Sequence, residues 1–166
     1  MVKIFGSDIG GVIIASSSKS DASDTSFFGK TYWQTPALPN SFEGLARVVQ
    51  IFGSRYSYLL SKSSEETELK SRGWLEHNGF YGTGISPERV RFCRHRADKA
   101  VIAADLGITH YIDNHPGVLG LMESVPYRFL FNATEEDREE YQHELHKFII
   151  VEGDDWRDAA QAILEA

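Results

Sequence analysis

The fold of this chain is decided by residues 2–14, which read VKIFGSDIGGVII. The apolar residues of the first half predict a buried β-strand over Val2–Phe5, and Asp8 follows where the run gives way to glycines. A carboxylate at the end of a buried strand loses its hydration, which is unfavourable unless the group is paired or takes part in chemistry. We therefore interpret Asp8 as a residue with a chemical role.

Apolar runs of similar length recur along the chain, with helix-like segments between them. The further strands are predicted at residues 56–60, 90–93, 108–112, 127–131 and 148–151. Helices are predicted at 41–52, 63–77, 116–122, 134–146 and 156–164, and in a segment around Lys99 that ends at Gly107. Short apolar strands that alternate with helices indicate a parallel sheet covered on both faces. The predicted class is α/β: a single domain over residues 1–166, with a three-layer α/β/α Rossmann-like fold and a mainly parallel central sheet.

Two helix starts carry recognisable capping signals. Ser63 and Glu66 have the spacing of a capping box for the helix that runs to about residue 77. Asp155 is predicted to cap the last helix, and Trp156 to anchor that helix in the core.

Composition limits the function classes. The chain has 166 residues, 42% of them hydrophobic, and a net charge of −7. This is enough for one folded core, and the negative charge argues against general nucleic-acid binding. No apolar run approaches membrane-spanning length, no signal peptide precedes the first strand, and the single cysteine, Cys93, has no disulfide partner. These features predict a cytoplasmic protein without membrane partners.

Polar residues follow three of the predicted strands at equivalent positions: Asp8, Ser61 and Asp113. In an open parallel sheet the carboxyl ends of the strands form the ligand-binding edge, so we expect these side chains to converge there. Two carboxylates suit Mg²⁺, and a hydroxyl can donate to a phosphate oxygen. Ser61 competes with Ser63 and Ser64, since any of the three serines can serve as a helix cap.

At these positions the chain resembles the haloacid dehalogenase-like (HAD) hydrolases, a superfamily made mostly of Mg²⁺-dependent phosphatases. Four motifs carry the resemblance in chain order: Asp8-Ile9-Gly10-Gly11-Val12-Ile13, Leu59-Leu60-Ser61, Lys99, and Ile108-Thr109-His110-Tyr111-Ile112-Asp113-Asn114. The stretch from Asp98 to Leu119 is the most specific, because lysine, helix, strand and acid arrive there at the family spacing.

The resemblance implies a HAD-like hydrolase that cleaves a phosphate ester through an aspartyl-phosphate at Asp8. Lys99 would neutralise charge on Asp8 and on the phosphoryl group. The implied Mg²⁺ ligands are Asp8, the Gly10 carbonyl, Asp113 and Asn114. The implied substrate-binding residues are Ser61, Lys62 and Gly11.

Gly10 departs from the family pattern, since the phosphatases carry a second Asp there as general acid and base. General acid–base catalysis contributes ~10²–10⁴-fold. Three interpretations stay open. The chain is a working phosphohydrolase in which His115, His110 or Lys62 takes that role; or a phosphotransferase or slow phosphatase with a long-lived intermediate; or a catalytically impaired protein with a binding or regulatory role.

The substrate side of the sequence is less informative. Residues 14–40 are a possible flap or minimal cap insertion, too short for a full cap domain, so the site is expected to be open. Open sites in this superfamily take larger phosphorylated substrates or use another subunit as a lid, which leaves a phosphorylated small molecule, a larger substrate and a homo-oligomer as possibilities. Four aromatic residues of this segment either form the flap or pack on the edge of the core: Phe27, Phe28, Tyr32 and Trp33.

Overall fold

The structure is a computed structural model that describes residues 1–16, 23 and 26–166. Six strands are formed: β1 (Phe5–Ser7), β2 (Ser57–Lys62), β3 (Val90–Cys93), β4 (His110–Asp113), β5 (Tyr127–Phe131) and β6 (Ile149–Val151). The α-helices are α1 (Ser41–Phe52), α2 (Glu65–His77), α3 (Arg96–Leu106), α4 (Pro116–Leu121), α5 (Glu135–Glu140) and α6 (Trp156–Glu165). None of these helices combines the length and the apolar content that crossing a bilayer requires.

All six strands form one parallel sheet in the order β3-β2-β1-β4-β5-β6. The short strand β1 lies at the centre, with Ser7 in register with Leu59 of β2 and Ile112 of β4. The order in which strands are added to the sheet reverses at β1. Strands β2 and β3 lie on one side of β1, and β4 to β6 lie on the other. Ligands bind at such a switch point in open α/β sheets, outside the carboxyl ends of the strands.

Helices cover both faces of the sheet, which confirms the predicted three-layer α/β/α, Rossmann-like architecture. One face carries α1, α2 and α6, whose buried side chains join the larger core cluster around Phe5, Leu45 and Trp156. The other face carries α3 and α4 over a smaller cluster around Tyr111 and Leu119. These five helices bury side chains against the sheet, so the sheet is covered on both sides as a parallel sheet requires.

The first strand is displaced from the predicted run Val2–Phe5. The main-chain N–H of Ile4 donates to Thr109 Oγ1 at 2.9 Å, so a side chain takes the place of a ladder hydrogen bond there. Regular pairing therefore begins only at Phe5 and continues to Ser7, directly before Asp8.

Two other local predictions need correction. The cap of α2 is Ser64, whose Oγ accepts from Thr67 N at 3.2 Å, one residue beyond the predicted Ser63. The predicted helix 134–146 ends at Glu140, because Tyr141 leaves the helix and packs its ring 5.6 Å from that of His115. A tertiary contact thus overrides a segment whose helical signal came from composition alone.

The predicted start of the last helix is confirmed. Asp155 Oδ1 accepts from Arg157 N at 2.8 Å, which caps α6. Trp156 is fully buried, and its Nε1 donates to the carbonyl of Val12 at 2.7 Å. The last helix therefore contacts the loop that follows the first strand.

Candidate active site at the sheet edge

Asp8 and Asp113 lie on neighbouring strands at the switch point of the sheet. The main-chain N–H of Asp8 donates to Ile112 O at 3.0 Å, so Asp8 continues the pairing of β1 with β4 and is held beside Asp113. Directly after Asp8 the chain forms a tight turn, in which the carbonyl of Ile9 accepts from the N–H groups of residues 12, 13 and 14. This turn fixes where the Asp8 side chain leaves the sheet.

Lys99 joins the two carboxylates. Its Nζ lies 3.1 Å from Asp8 Oδ1 and 2.8 Å from Asp113 Oδ2. The lysine reaches this position from α3, and only 2% of its side chain is exposed. A buried ammonium is unfavourable unless it is paired, and here two carboxylates pair it. The sequence interpretation that brought Asp8, Lys99 and Asp113 together matches this geometry.

The pKa values of Asp8 and Lys99 both depart from their ordinary values. Burial and the negative charge of Asp113 raise the pKa of Asp8 to about 6, although Lys99 opposes the shift. Burial acts to lower the pKa of Lys99, but Asp113 and Asp8 outweigh it and hold that pKa well above its ordinary value. The lysine is therefore charged at neutral pH.

The ring of Tyr111 lies beside the Lys99 ammonium. Its centroid lies 5.4 Å from Lys99 Nζ, and the Tyr111 hydroxyl donates to Leu60 O at 2.6 Å. The ring lies across Gly6 of β1, where an added Cβ would come within 2.9 Å of it. Tyr111 belongs to the fourth motif of the sequence, which gives it no predicted role, because an aromatic residue in a strand usually packs in the core.

The glycine pair after Asp8 divides into two different environments. A Cβ added to Gly10 would meet nothing within 4 Å, and Gly10 is exposed. Gly11 has a φ of +76°, and a Cβ there would lie 2.3 Å from Asn114 Nδ2. The carbonyl of Gly11 accepts from Asn132 Nδ2 at 2.9 Å. Asn132 follows β5 and was not among the predicted site residues. Its φ is +59°, a backbone conformation that Asn adopts more readily than most residues.

A cavity of about 230 Å³ opens onto Asp8. Its lining comes from the sheet edge, α2 and the first loop: Asp8, Gly10, Gly11, Ile14, Ala15, Ser16, Phe27, Phe28, Ser61, Lys62, Ser63, Thr67 and Ser71. The predicted substrate-binding residues Ser61, Lys62 and Gly11 all belong to it. Since Ser64 caps α2, Ser61 is not used as a cap, and in the described part of the chain its hydroxyl has no hydrogen-bond partner.

The aromatic residues of the first loop separate into two pairs. Phe27 and Phe28 line the cavity, and Phe27 also packs against the larger core cluster. Tyr32 and Trp33 instead pack against α2, where the Tyr32 ring lies 5.7 Å from Lys70 Nζ and Trp33 O accepts from Asn78 at 2.9 Å. Of the predicted insertion 14–40, residues 17–22, 24 and 25 lie outside the described residues.

Two of the three candidates for the missing acid–base group lie away from the cavity. His115 caps α4, with its Nδ1 accepting from Gly117 N at 3.0 Å. Burial and Arg96 lower the pKa of His115, which favours the neutral ring. His110 is fully buried at the start of β4, at the opposite end of that strand from Asp113. Among the described residues that line the cavity, Lys62 is the titratable side chain other than Asp8.

The donor set contains oxygen groups of the kind that Mg²⁺ binds. Within the described residues no group of three or more His, Cys, Asp and Glu side chains could hold a metal ion, but Mg²⁺ is usually held through one or two carboxylates, waters and substrate phosphates. Asp8 and Gly10 line the cavity, whereas Asp113 and Asn114 do not. Asp113 is buried, and its Oδ1 accepts from His115 N at 3.0 Å. The repulsion from Asp113 that raises the Asp8 pKa is also what a divalent cation would relieve.

No protein-family model and no curated protein matches the chain. The arrangement itself combines a carboxylate that opens onto a cavity, a buried ammonium beside it, a second carboxylate and a hydroxyl that has no hydrogen-bond partner among the described residues. Such a set can hold a phosphoryl group and present a nucleophile to it.

Proposed function

We propose that the chain is a Mg²⁺-dependent phosphohydrolase of the HAD-like type, acting on a phosphate ester in the cytoplasm. The observation that carries the proposal is the position of Lys99, buried between Asp8 and Asp113 with Asp8 open to the cavity. A charged triad that served only to hold the fold would gain nothing from leaving one carboxylate accessible.

Asp8 is the proposed nucleophile. One of its carboxylate oxygens forms a bond to phosphorus, the bond from phosphorus to the ester oxygen breaks, and the leaving alkoxide takes a proton. Water then cleaves the aspartyl-phosphate, which releases inorganic phosphate and restores Asp8. The buried ammonium of Lys99 keeps Asp8 ionised and offsets the charge that accumulates on the transferring group.

Ser61, Lys62 and the Gly11 segment are the proposed phosphoryl-binding groups. The Ser61 hydroxyl and the Lys62 ammonium can donate to phosphoryl oxygens. Asp8, Asp113, the Gly10 carbonyl and Asn114 would hold Mg²⁺. The metal supplies Lewis-acid polarisation and screens the repulsion between the carboxylates and the phosphate.

Lys62 is the proposed donor of the leaving-group proton. It takes the place of the second Asp that the family pattern has at position 10. An ammonium can protonate an alkoxide, but it serves poorly as a base for the water of the second step. The same geometry therefore favours a second candidate function, a slow phosphatase or phosphotransferase whose aspartyl-phosphate persists.

The test is hydrolysis of p-nitrophenyl phosphate and a panel of metabolite phosphates, with Mg²⁺ and with EDTA, by the wild type and Asp8→Asn. Activity that both EDTA and Asp8→Asn abolish supports the phosphohydrolase. A stoichiometric burst with slow turnover, and a phosphorylated Asp8 in the mass spectrum, supports the second candidate. Turnover that survives Asp8→Asn contradicts both candidate functions.

A further inference from the structure

The cavity beside Asp8 has two chemically different walls. The hydroxyl wall comes from the end of β2 and from α2 and consists of Ser61, Ser63, Thr67 and Ser71. The apolar wall comes from the first loop and consists of Ile14, Ala15, Phe27 and Phe28. Apart from Asp8, no carboxylate lines the cavity among the described residues, and Lys62 is its single cation.

The hydroxyl wall has unused hydrogen-bonding capacity. Ser61 and Ser71 are only 6% and 4% exposed, so their hydroxyls depend on the cavity for further partners. Thr67 Oγ1 accepts from Ser64 Oγ at 3.1 Å, which leaves its own proton free to donate. Hydroxyls of this wall that face a purely apolar ligand would stay unpaired, which is unfavourable. A ligand that carries hydroxyl groups on this side can pair with them.

The apolar wall suits the C–H face of a compact ligand. Phe28 is 41% exposed at the cavity, and its ring meets that of Phe27 edge to face at 6.3 Å. Such a pair offers an apolar surface that gains from being covered. A carbon skeleton with hydroxyls on one side and C–H groups on the other satisfies both walls at once.

The cavity is small. Its volume of about 230 Å³ is below the range of ~300–1,000 Å³ for drug-sized ligands. This space holds a phosphoryl group and a chain or ring of a few carbons.

We infer that the substrate is a small polyhydroxylated phosphate monoester of triose to pentose size, with its hydroxyls on Thr67 and Ser71 and its C–H face on Phe27 and Phe28. The inference rests on the proposed phosphohydrolase function and chooses the small molecule over the larger phosphorylated substrate. Hydrolysis releases the free polyol and inorganic phosphate.

The test compares kcat/KM for ribose 5-phosphate, glycerol 3-phosphate, phenyl phosphate and a phosphoserine peptide, with Mg²⁺ present. The two polyol esters are expected to exceed the other two by at least tenfold. Ser71→Ala and Thr67→Val are expected to lower kcat/KM for ribose 5-phosphate by roughly three- to tenfold each, the value of one neutral hydrogen bond, and to leave phenyl phosphate unchanged. Ser124→Ala, an exposed serine away from the cavity, is the matched control.

Binding of ribose 5-phosphate and phenyl phosphate to Asp8→Asn, followed by calorimetry, separates this inference from the function on which it rests. Tighter binding of ribose 5-phosphate, weakened by Ser71→Ala, supports the ligand class even if the wild type shows no turnover. Turnover with a preference for phenyl phosphate or the peptide, or equal losses on all esters in the two variants, overturns the inference and leaves the phosphohydrolase standing. Absence of both binding and turnover overturns both.

Discussion

Lys99 and Asp8 form an ion pair at 3.1 Å in which the lysine is buried and the carboxylate faces a cavity. The second carboxylate, Asp113, completes the lysine's pairing from the buried side at 2.8 Å. The lysine thus has one fully buried partner and one partner that lines the cavity. This asymmetry separates the contributions to stability and to activity.

Removing the Lys99 ammonium should lower both the stability and the activity of the protein. Lys99→Met leaves two carboxylates buried against each other, and breaking a buried pair in this way costs about 3–5 kcal/mol. We expect a lower Tm and loss of phosphatase activity. The double variant Lys99→Met/Asp113→Asn should recover much of the stability but none of the activity. Lys70→Met, which breaks a surface pair with Glu66 at 3.9 Å, is the control and should change little. A Lys99→Met protein as stable as the wild type would contradict the pairing described.

The raised pKa of Asp8 predicts a pH-dependent difference in stability between the wild type and Asp8→Asn. The pKa is about 6 in the folded chain against an ordinary 3.8, so between these values the folded state holds more protons than the unfolded state. The contribution of Asp8 to the free energy of unfolding then falls as pH rises through that window. A shift of this size corresponds to an amount on the order of 2–3 kcal/mol.

Asp8→Asn lacks this titration. Without metal, its Tm should rise relative to that of the wild type from pH 4 to pH 7 and then level off. Thermal unfolding in EDTA-containing buffers checks this, since EDTA excludes a bound cation. A Tm difference that stays constant across the window would show that Asp8 does not titrate as the structure requires.

Gly10→Asp should increase turnover without loss of stability. A Cβ at this position meets nothing within 4 Å, so the side chain fits beside the cavity. A carboxyl group there restores a general acid and base, a contribution of ~10²–10⁴-fold. We expect a gain in Mg²⁺-dependent kcat at an unchanged Tm.

Gly11→Ala is the steric control for that variant. Its φ of +76° and the 2.3 Å approach of a Cβ to Asn114 Nδ2 predict a loss of stability from a single methyl group. If Gly10→Asp is as destabilising as Gly11→Ala, the open space described at Gly10 is wrong.

Lys62→Met tests the source of the leaving-group proton. Alkoxide leaving groups need protonation and p-nitrophenolate does not, so the variant should lose ~10²-fold in kcat on an alkyl phosphate and far less on p-nitrophenyl phosphate. His115→Asn should leave both rates unchanged, because His115 caps α4 away from the cavity and Asn keeps the cap. Equal losses of Lys62→Met on both esters would instead assign Lys62 to phosphoryl binding alone.

Much of the fold follows from the sequence because short apolar runs mark the strands. The runs 90–93 and 127–131 coincide with β3 and β5, in each of which a single arginine interrupts the apolar residues. The convergence of Asp8, Ser61 and Asp113 followed from the shared edge of a parallel sheet. These positions depend only on strand order and direction.

The remaining features depend on contacts between distant segments. Ser63 and Ser64 differ by one residue as caps, and both have a suitable partner three positions on. The burial of Lys99 is set by where α3 docks, which its own sequence does not specify. His115 is predicted as an acid–base candidate because it lies two residues from Asp113 in the sequence. In the structure its ring contacts Arg96 and Asp137. Side-chain direction after a strand is a tertiary property.

The hydrogen bond from Trp156 to Val12 ties the first loop to the last helix across 144 residues of sequence. The turn that aims Asp8 therefore lacks one of its supports until α6 has docked. During synthesis the first strand and its loop leave the ribosome long before Trp156 does, so the turn at Asp8 gains this support only after α6 has emerged and docked.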